Sequence, residues 1–441
     1  MPADSGSGER PLWSLDGAPP DYVLTGVRAV LPDRVLDDAR IVVRGGLIEE
    51  VAPRRGVCGD VDGGGLLVVP GLVDVHTDAL ERERAPRPTA VLPWDFAIAS
   101  FEGRLVGAGV TTALHGAGFQ HEHARGVRRE PAAALELARA VDDTRVVDDE
   151  RVGRSGRVDH RVLHRLDVTS APGQAALRER LESLPVAPDL AGATDAGATD
   201  AGAAGDPPPL VSHEDHTPGQ GQHADPEQLV RYIVGEDGLT PEDARQRVAT
   251  LQATRAGAHV EHDGALAWLG DLARAGRIRL MGHDPDTVEA VEAVEALAAR
   301  GAVAAEFPTT LVAAREARAR GLLVVAGAPN ALLRGASHSG NVSAAQLLAE
   351  GLVDALASDY LPSALLGAVA RIVRDGTCDL PAAVHLVTAG PAAVAGFTDR
   401  GALTPGLRAD LALVEDRRGP WPQVIGTLRA CVGPPTEPPR G

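Results

Sequence analysis

The sequence predicts an α/β protein built on a (β/α)8 barrel, with a small β domain assembled from both ends of the chain. Three observations carry this expectation. From Val68 onward, short apolar runs alternate with amphipathic stretches, as strands alternate with helices in a barrel. Ligand-type polar residues recur where the apolar runs end, which is where barrel enzymes build their sites. The segments before Val68 and after about residue 400 are β-rich and broken by turns. A doubly wound open sheet is the alternative, and it accounts less well for the polar strand ends.

Taken in order, residues 21–69 hold DYVLTGVRAVLP, ARIVVRGGLIEEVAP and GGLLVVPG, short alternating runs joined by Gly-rich turns and read as hairpins. Eight barrel strands are predicted at 68–76, 111–116, 157–169, 210–216, 277–284, 302–307, 322–329 and 353–360. Helical patterns lie between them, as at 309–321 and 342–351, with polar starts and terminal glycines as caps. The tail 408–434 is β-like again and returns to the N-terminal sheet. The expected organisation is therefore a disordered N-terminus (1–20), a composite β-sandwich (21–67 and 401–434) and a barrel (68–400). Residues 186–209, with a repeated GATDA unit, read as a disordered low-complexity insertion in that barrel.

Composition narrows the function. With 441 residues, 44% of them apolar, the chain is long enough for a large barrel or several domains. No run approaches the roughly 20 apolar residues of a membrane span, and the polar start lacks a secretory pattern. Cys58, Cys378 and Cys431 form no CxxC pair, which fits a reducing cytoplasm and excludes a thiolate zinc site. A net charge of -18 argues against nucleic-acid or anionic-membrane partners. The expected partner is a small molecule, with a homo-oligomer left open. All 43 basic residues are arginine. That excludes a P-loop lysine, a Schiff-base lysine and a carboxylated lysine bridging two metals. The bias fits a GC-rich genome, yet it restricts the chemistry all the same.

The candidate chemistry begins at VVPGLVDVHTD (68–78). Residues i and i+2 of a strand share a side, so His76 and Asp78 can grip one ion. Alone, the pair fits equally a buried strand with satisfied polar groups. Other strand ends add to it. Asp167 closes HRVLHRLD, where His160 and His164 also lie, His216 closes SHEDH, His283 begins HDPDT and Asp359 closes ASDY. Imidazole with carboxylate suits one or two divalent metal ions, Zn²⁺, Mn²⁺ or Fe²⁺. Such ions acidify water and clamp both ends of a displacement. A second group, RGASHSGN (334–341), precedes a helix and is dense in donors. Ser337, His338, Ser339 and Asn341 there, with Arg87 after the HTD motif, are the expected substrate-binding residues, reading as an anion site. An ordinary capped loop and a solvated charge run are the plainer readings.

Together PGLVDVHTD, PRP (86–88), DHTPGQ (215–220), AEFPTT (305–310), GAPN (327–330), SHSGN (337–341), SDY (358–360) and PGLRADL (405–411) resemble one family. It is that of the α-D-ribose 1-methylphosphonate 5-triphosphate diphosphatases of the carbon–phosphorus lyase pathway, in the amidohydrolase superfamily. The resemblance runs from about residue 21 to 433. It implies a deformed barrel with a β-sandwich, a divalent metal site, and hydrolysis of the ribosyl triphosphate to its 5-phosphate and pyrophosphate. Carried onto this chain, it implies metal ligation by His76, Asp78, His216, His283 and Asp359, with Asp359 also as general base. Asp167 takes the bridging position, where family members carry a glutamate one methylene longer. Hydrolysis of a C–N bond, commoner across the superfamily, is the second reading. A non-catalytic scaffold is the third.

Overall fold

The computed structural model describes residues 18–87, 89–121, 129–150, 157–185, 206–219, 225–255, 258–285, 290–333 and 341–430. The expected N-terminal disorder and low-complexity insertion lie largely outside the described residues. Five strands open the chain: β1 (Tyr22–Val30), β2 (Val35–Arg44), β3 (Leu47–Pro53), β4 (Val61–Asp62) and β5 (Leu67–Pro70). Eight follow in a second sheet: β6 (Leu72–Thr77), β7 (Val110–Phe119), β8 (Asp159–Asp167), β9 (Leu210–Glu214), β10 (Arg279–His283), β11 (Ala304–Glu306), β12 (Leu323–Gly327) and β13 (Ala355–Ala357). The chain returns to the first sheet with β14 (Leu411–Glu415) and β15 (Gln423–Leu428).

The first sheet runs β15-β14-β5-β1-β2-β3, with β4 also on β1. Its pairs are antiparallel except for β1 with β4 and with β5. It has a core of its own, in which Tyr22, Leu24, Ile41, Ile48, Val68 and Leu411 are buried. Strands from both the N-terminal and the C-terminal segments thus meet in one sheet.

The apolar run 68–76, expected as one strand, is two strands in two sheets. Pro70 has no N–H to continue a ladder, and Gly71 turns the chain from β5 into β6. A side chain at Gly71 would meet Thr111 Oγ1 at 2.3 Å, so the crossing point admits only glycine.

β6 to β13 pair in sequence order, all parallel. Alternate residues point inward, where Val73, Val75, Leu114, Leu163, Met281 and Val325 pack, with Phe397 closing the lower end. The outward set, including Leu72, Phe119, Leu166 and Leu356, packs under the helices with Phe101 and Leu105. The barrel closes unevenly. At the upper rim Asp78 N donates to Asp359 O (2.6 Å) and Asp359 N to His76 O (2.9 Å). Lower down, the segment at 386–387 takes the place of direct pairing: Val73 N donates to Val387 O and Leu356 N to Leu386 O. The expected deformation of the barrel is this wedge between its first and last strands.

After β9 two helices, Pro226–Asp237 and Pro241–Arg255, form a hairpin. Asp225 caps the first by accepting from Glu227 N with proline in the first turn, and Gly238 ends it in the left-handed conformation. Leu229, Val230, Ile233, Ala244 and Val248 make a separate apolar cluster between the two. The hairpin stands over the mouth of the barrel.

Candidate metal centre and active site

A cavity of about 690 Å³ opens at the C-terminal ends of the barrel strands, roofed by the helical hairpin. Its wall includes His76, Asp78, Asp167, His216, His283, Asp359 and Asn341. His76 and Asp78 reach it because β6 is bulged. Between the pairs Asp74–Ala113 and Thr77–His115, β6 has one residue more than β7. Strict alternation from Val73 and Val75 would turn His76 outward; the extra residue turns it inward.

Glu306, fully buried at the end of β11, fixes two of the imidazoles. Its Oε1 lies 2.7 Å from His76 Nδ1 and its Oε2 lies 2.7 Å from His283 Nδ1, while Ser212 Oγ donates to Oε2 at 2.7 Å. With Nδ1 engaged, each ring presents Nε2 to the cavity. Among the described residues, three sets of donor atoms lie within 4.8 Å of one another: His76, Asp78 and Asp359; Glu214, His216 and His283; and His76, His283 and Glu306. The last set is held by the 2.7 Å bonds to Nδ1, so Glu306 acts there as a carboxylate that orients the two rings. Phe307 closes one side, 5.2 Å from the His76 ring and 5.4 Å from that of His283.

A chain of buried charge runs beside these groups. Arg129 donates to Asp78 Oδ2 at 2.7 Å and to Glu81 Oε2 at 3.0 Å. Arg165 bridges Asp78 Oδ2 (2.5 Å) and Glu214 Oε2 (2.7 Å), and Gln120 donates to Glu214 Oε1. Burial raises the Asp78 carboxyl, but Arg129, Arg165 and His76 outweigh it and hold Asp78 well below the usual range. Burial pushes Glu81 up to about 7 against the pull of Arg129. For His76 burial lowers the pKa, yet Glu306 and Asp78 lift it to about 9. His283 is driven well above its ordinary value by Asp284 and Glu306, again against burial.

Asp167 lies in the cavity and joins none of the three sets. Its Oδ1 accepts from Thr169 N (3.0 Å) and Oγ1 (2.6 Å), and its Oδ2 accepts from Arg255 of the hairpin at 2.6 Å. His160 and His164, on the same strand, face outward: His160 Nδ1 meets His115 Nε2 at 2.8 Å, and His164 stacks on Phe119. Arg87 is exposed and outside the cavity wall. Ser337, His338 and Ser339 lie outside the described residues. The helix after that loop, Ala344–Ala349, is already capped, since Ser343 accepts from Gln346 N. The arginines that do line the cavity are Arg129, Arg165, Arg247 and Arg255.

Sequence reasoning missed Glu306, Arg165, Arg129 and Asp284. Arg165 had a legible signal, because it lies two residues before Asp167 on an apolar strand and so shares its inward face. Glu306 carried a weaker one, a carboxylate ending the apolar run AVAAE. Arg129 has none, since it enters from a loop.

No family model matches the chain. Over 393 residues it is 33% identical to the alpha-D-ribose 1-methylphosphonate 5-triphosphate diphosphatase of Escherichia coli (strain K12), covering 89% of this chain and 94% of that one. The chain belongs to this diphosphatase family. Among solved structures it resembles a 5-methylcytosine deaminase from Klebsiella pneumoniae, with TM-score 0.56, 14% identity and coverage of 92% and 96%. It also resembles an enamidase of the amidohydrolase superfamily, with TM-score 0.52, 16% identity and coverage of 93% and 94%. At these identities the likeness establishes the fold: an amidohydrolase-type barrel with a separate, mainly antiparallel sheet.

Proposed function

We propose that this chain hydrolyses α-D-ribose 1-methylphosphonate 5-triphosphate to the 5-phosphate and pyrophosphate, using divalent cations, in the cytoplasm. The observation that carries the reading is the 33% identity across 94% of the E. coli diphosphatase. The donor set fits the ions the reaction calls for: imidazole Nε2 atoms and carboxylates converge there, and Asp78 Oδ1 is buried with no hydrogen bond. Cys58 and Cys378 are unbridged, in keeping with a reducing compartment.

His76, Asp78 and Asp359 on one side, and His216 and His283 on the other, would hold the ions. Bound there, divalent cations lower the pKa of water and neutralise phosphoryl oxygens. Among the described residues, five aspartates of the cavity wall (Asp78, Asp167, Asp243, Asp284 and Asp359) face four arginines. Cations bound there would shift that balance toward a polyanionic substrate. Asp359 takes the proton of the attacking water at its carboxylate as the oxygen–phosphorus bond forms. It returns the proton as the α–β anhydride bond breaks and pyrophosphate leaves. Asn330 and Asn341, with Arg247 and Arg255 of the hairpin, supply donors for the phosphate tail. Phe307 and the apolar faces of Leu229, Ile233 and Leu251 exclude water around it.

The test is pyrophosphate release from the ribosyl triphosphate by metal-loaded protein, run beside a panel of amides, cyclic amides and aminopurines. Release from the triphosphate alone is expected. Turnover of a C–N substrate with no pyrophosphate would transfer the chain to the chemistry named for the structural neighbours.

A further inference from the structure

Asp284, the residue after His283, is buried, and its Oδ2 atom takes no hydrogen bond. Yet that oxygen stands 3.3 Å from His283 Nε2 and 3.7 Å from His216 Nε2. The His283 ring already uses Nδ1 toward Glu306, so in its neutral form Nε2 carries a lone pair. A nitrogen lone pair then faces a carboxylate oxygen. A positive charge, a proton or a cation, holds two such groups together, and a cation there also faces His216 Nε2.

The spacing suits an ion. Donors each about 2.0–2.1 Å from one tetrahedral zinc stand roughly 3.3–3.4 Å apart. His76 Nε2 and Asp78 Oδ1, at 3.4 Å, show the same separation on the other side of the cavity. The neighbouring carboxylates already accept hydrogen bonds, which Asp284 Oδ2 does not. Both oxygens of Glu214 are taken by Gln120 and Arg165, and both of Asp167 by Thr169 and Arg255. The backbone also points Asp284 at this task. It is left-handed, φ 52°, while its N–H still donates to Glu306 O at 2.8 Å. An aspartate in that region costs about 1 kcal/mol or more, a strain that persists where the surroundings hold it.

We propose that Asp284 is a cation ligand, forming with His216 and His283 a second cation position beside that of His76, Asp78 and Asp359. On this assignment Asp167 is not needed to hold the second ion; it anchors the hairpin through Arg255. The inference rests on the reading that the cavity binds divalent cations, and not on the identity of the substrate.

The experiment strips the full chain with a chelator and titrates it with Co²⁺, following the visible ligand-field bands and the bound metal per chain, with no substrate present. Wild type is expected to take two ions. Asp284→Asn and Asp284→Gly, both tolerant of a left-handed backbone, should weaken one of them about tenfold or more and leave the other. Asp167→Asn should keep both. Circular dichroism checks the fold of each variant, and either Asp284 variant suffices. Unchanged binding in the Asp284 variants, a single ion in wild type, or loss of the second ion in Asp167→Asn would each overturn the assignment. Failure of wild type to release pyrophosphate would instead overturn the proposed reaction and leave the titration standing.

Discussion

Glu306 touches two imidazoles and a serine hydroxyl and is wholly shielded from solvent. Replacing it with glutamine keeps the shape and removes the charge that orients both rings. Glu306→Gln should lose metal affinity by about 10–100-fold, measured by competition with a chromophoric chelator. The same carboxylate sets a pH dependence. His76, lifted to about 9, and His283, lifted well above its usual value, are protonated at neutral pH when no cation is near. Ligation needs the neutral ring, so each ion must displace protons, and apparent affinity should climb as pH rises toward 9 and weaken as it falls. Calorimetry in two buffers of different ionisation enthalpy reads the protons released; a value of zero contradicts this account.

At the scale of elements, the site depends on departures from regular structure. The bulge of β6 aims His76, and three left-handed residues sit just past strands: Asp284, Phe307 and Asp359. Each still donates its N–H to the next strand around, to Glu306 O, Val325 O and His76 O. The ladder continues one residue beyond the extended backbone while the side chain is redirected. Such departures are invisible to alternation, which is why eight strands could be read from apolar runs and the bulge could not. His76, Asp78, His216, His283 and Asp359 were legible as strand-end ligand types. Arg129 and Arg255 were not, because tertiary folding brings a loop and a helix end over the barrel. Arg255 joins the hairpin to Asp167 at 2.6 Å and to Asp215 at 3.4 Å. Arg255→Met should raise KM for the ribosyl triphosphate several-fold with a smaller change in kcat. It should also speed amide exchange over 226–255, and an unaltered exchange rate would count against the hairpin being held there.

Over the whole molecule, buried histidines make the fold sensitive to acid. Burial, with Arg180 nearby, drives His164 down to about 3; burial and Arg300 do the same to His213. Both are neutral in the native state and take up protons more readily when unfolded. Their contribution is complete above the unfolded value near 6.5 and declines as pH falls toward 3. The urea midpoint should drop steadily between pH 6.5 and 4, and His164→Phe, which keeps a ring against Phe119, should flatten that slope.

The barrel's seam has a consequence for how the protein is made. His76, Thr77 and Asp78 leave the ribosome long before Asp359, and the rim joining β6 to β13 is formed by those residues themselves. Until the last strand is synthesised the chain can neither seal its cylinder nor present its first ligand set. A polypeptide cut short before β13 thus lacks both Asp359 and the rim bridge that joins β6 to the last strand. Once the strand arrives, an ion held by His76, Asp78 and Asp359, as proposed, would join the first strand of the barrel to the last. On that proposal, loading with metal would serve as a completion check, and stripping it should open the molecule first along this line.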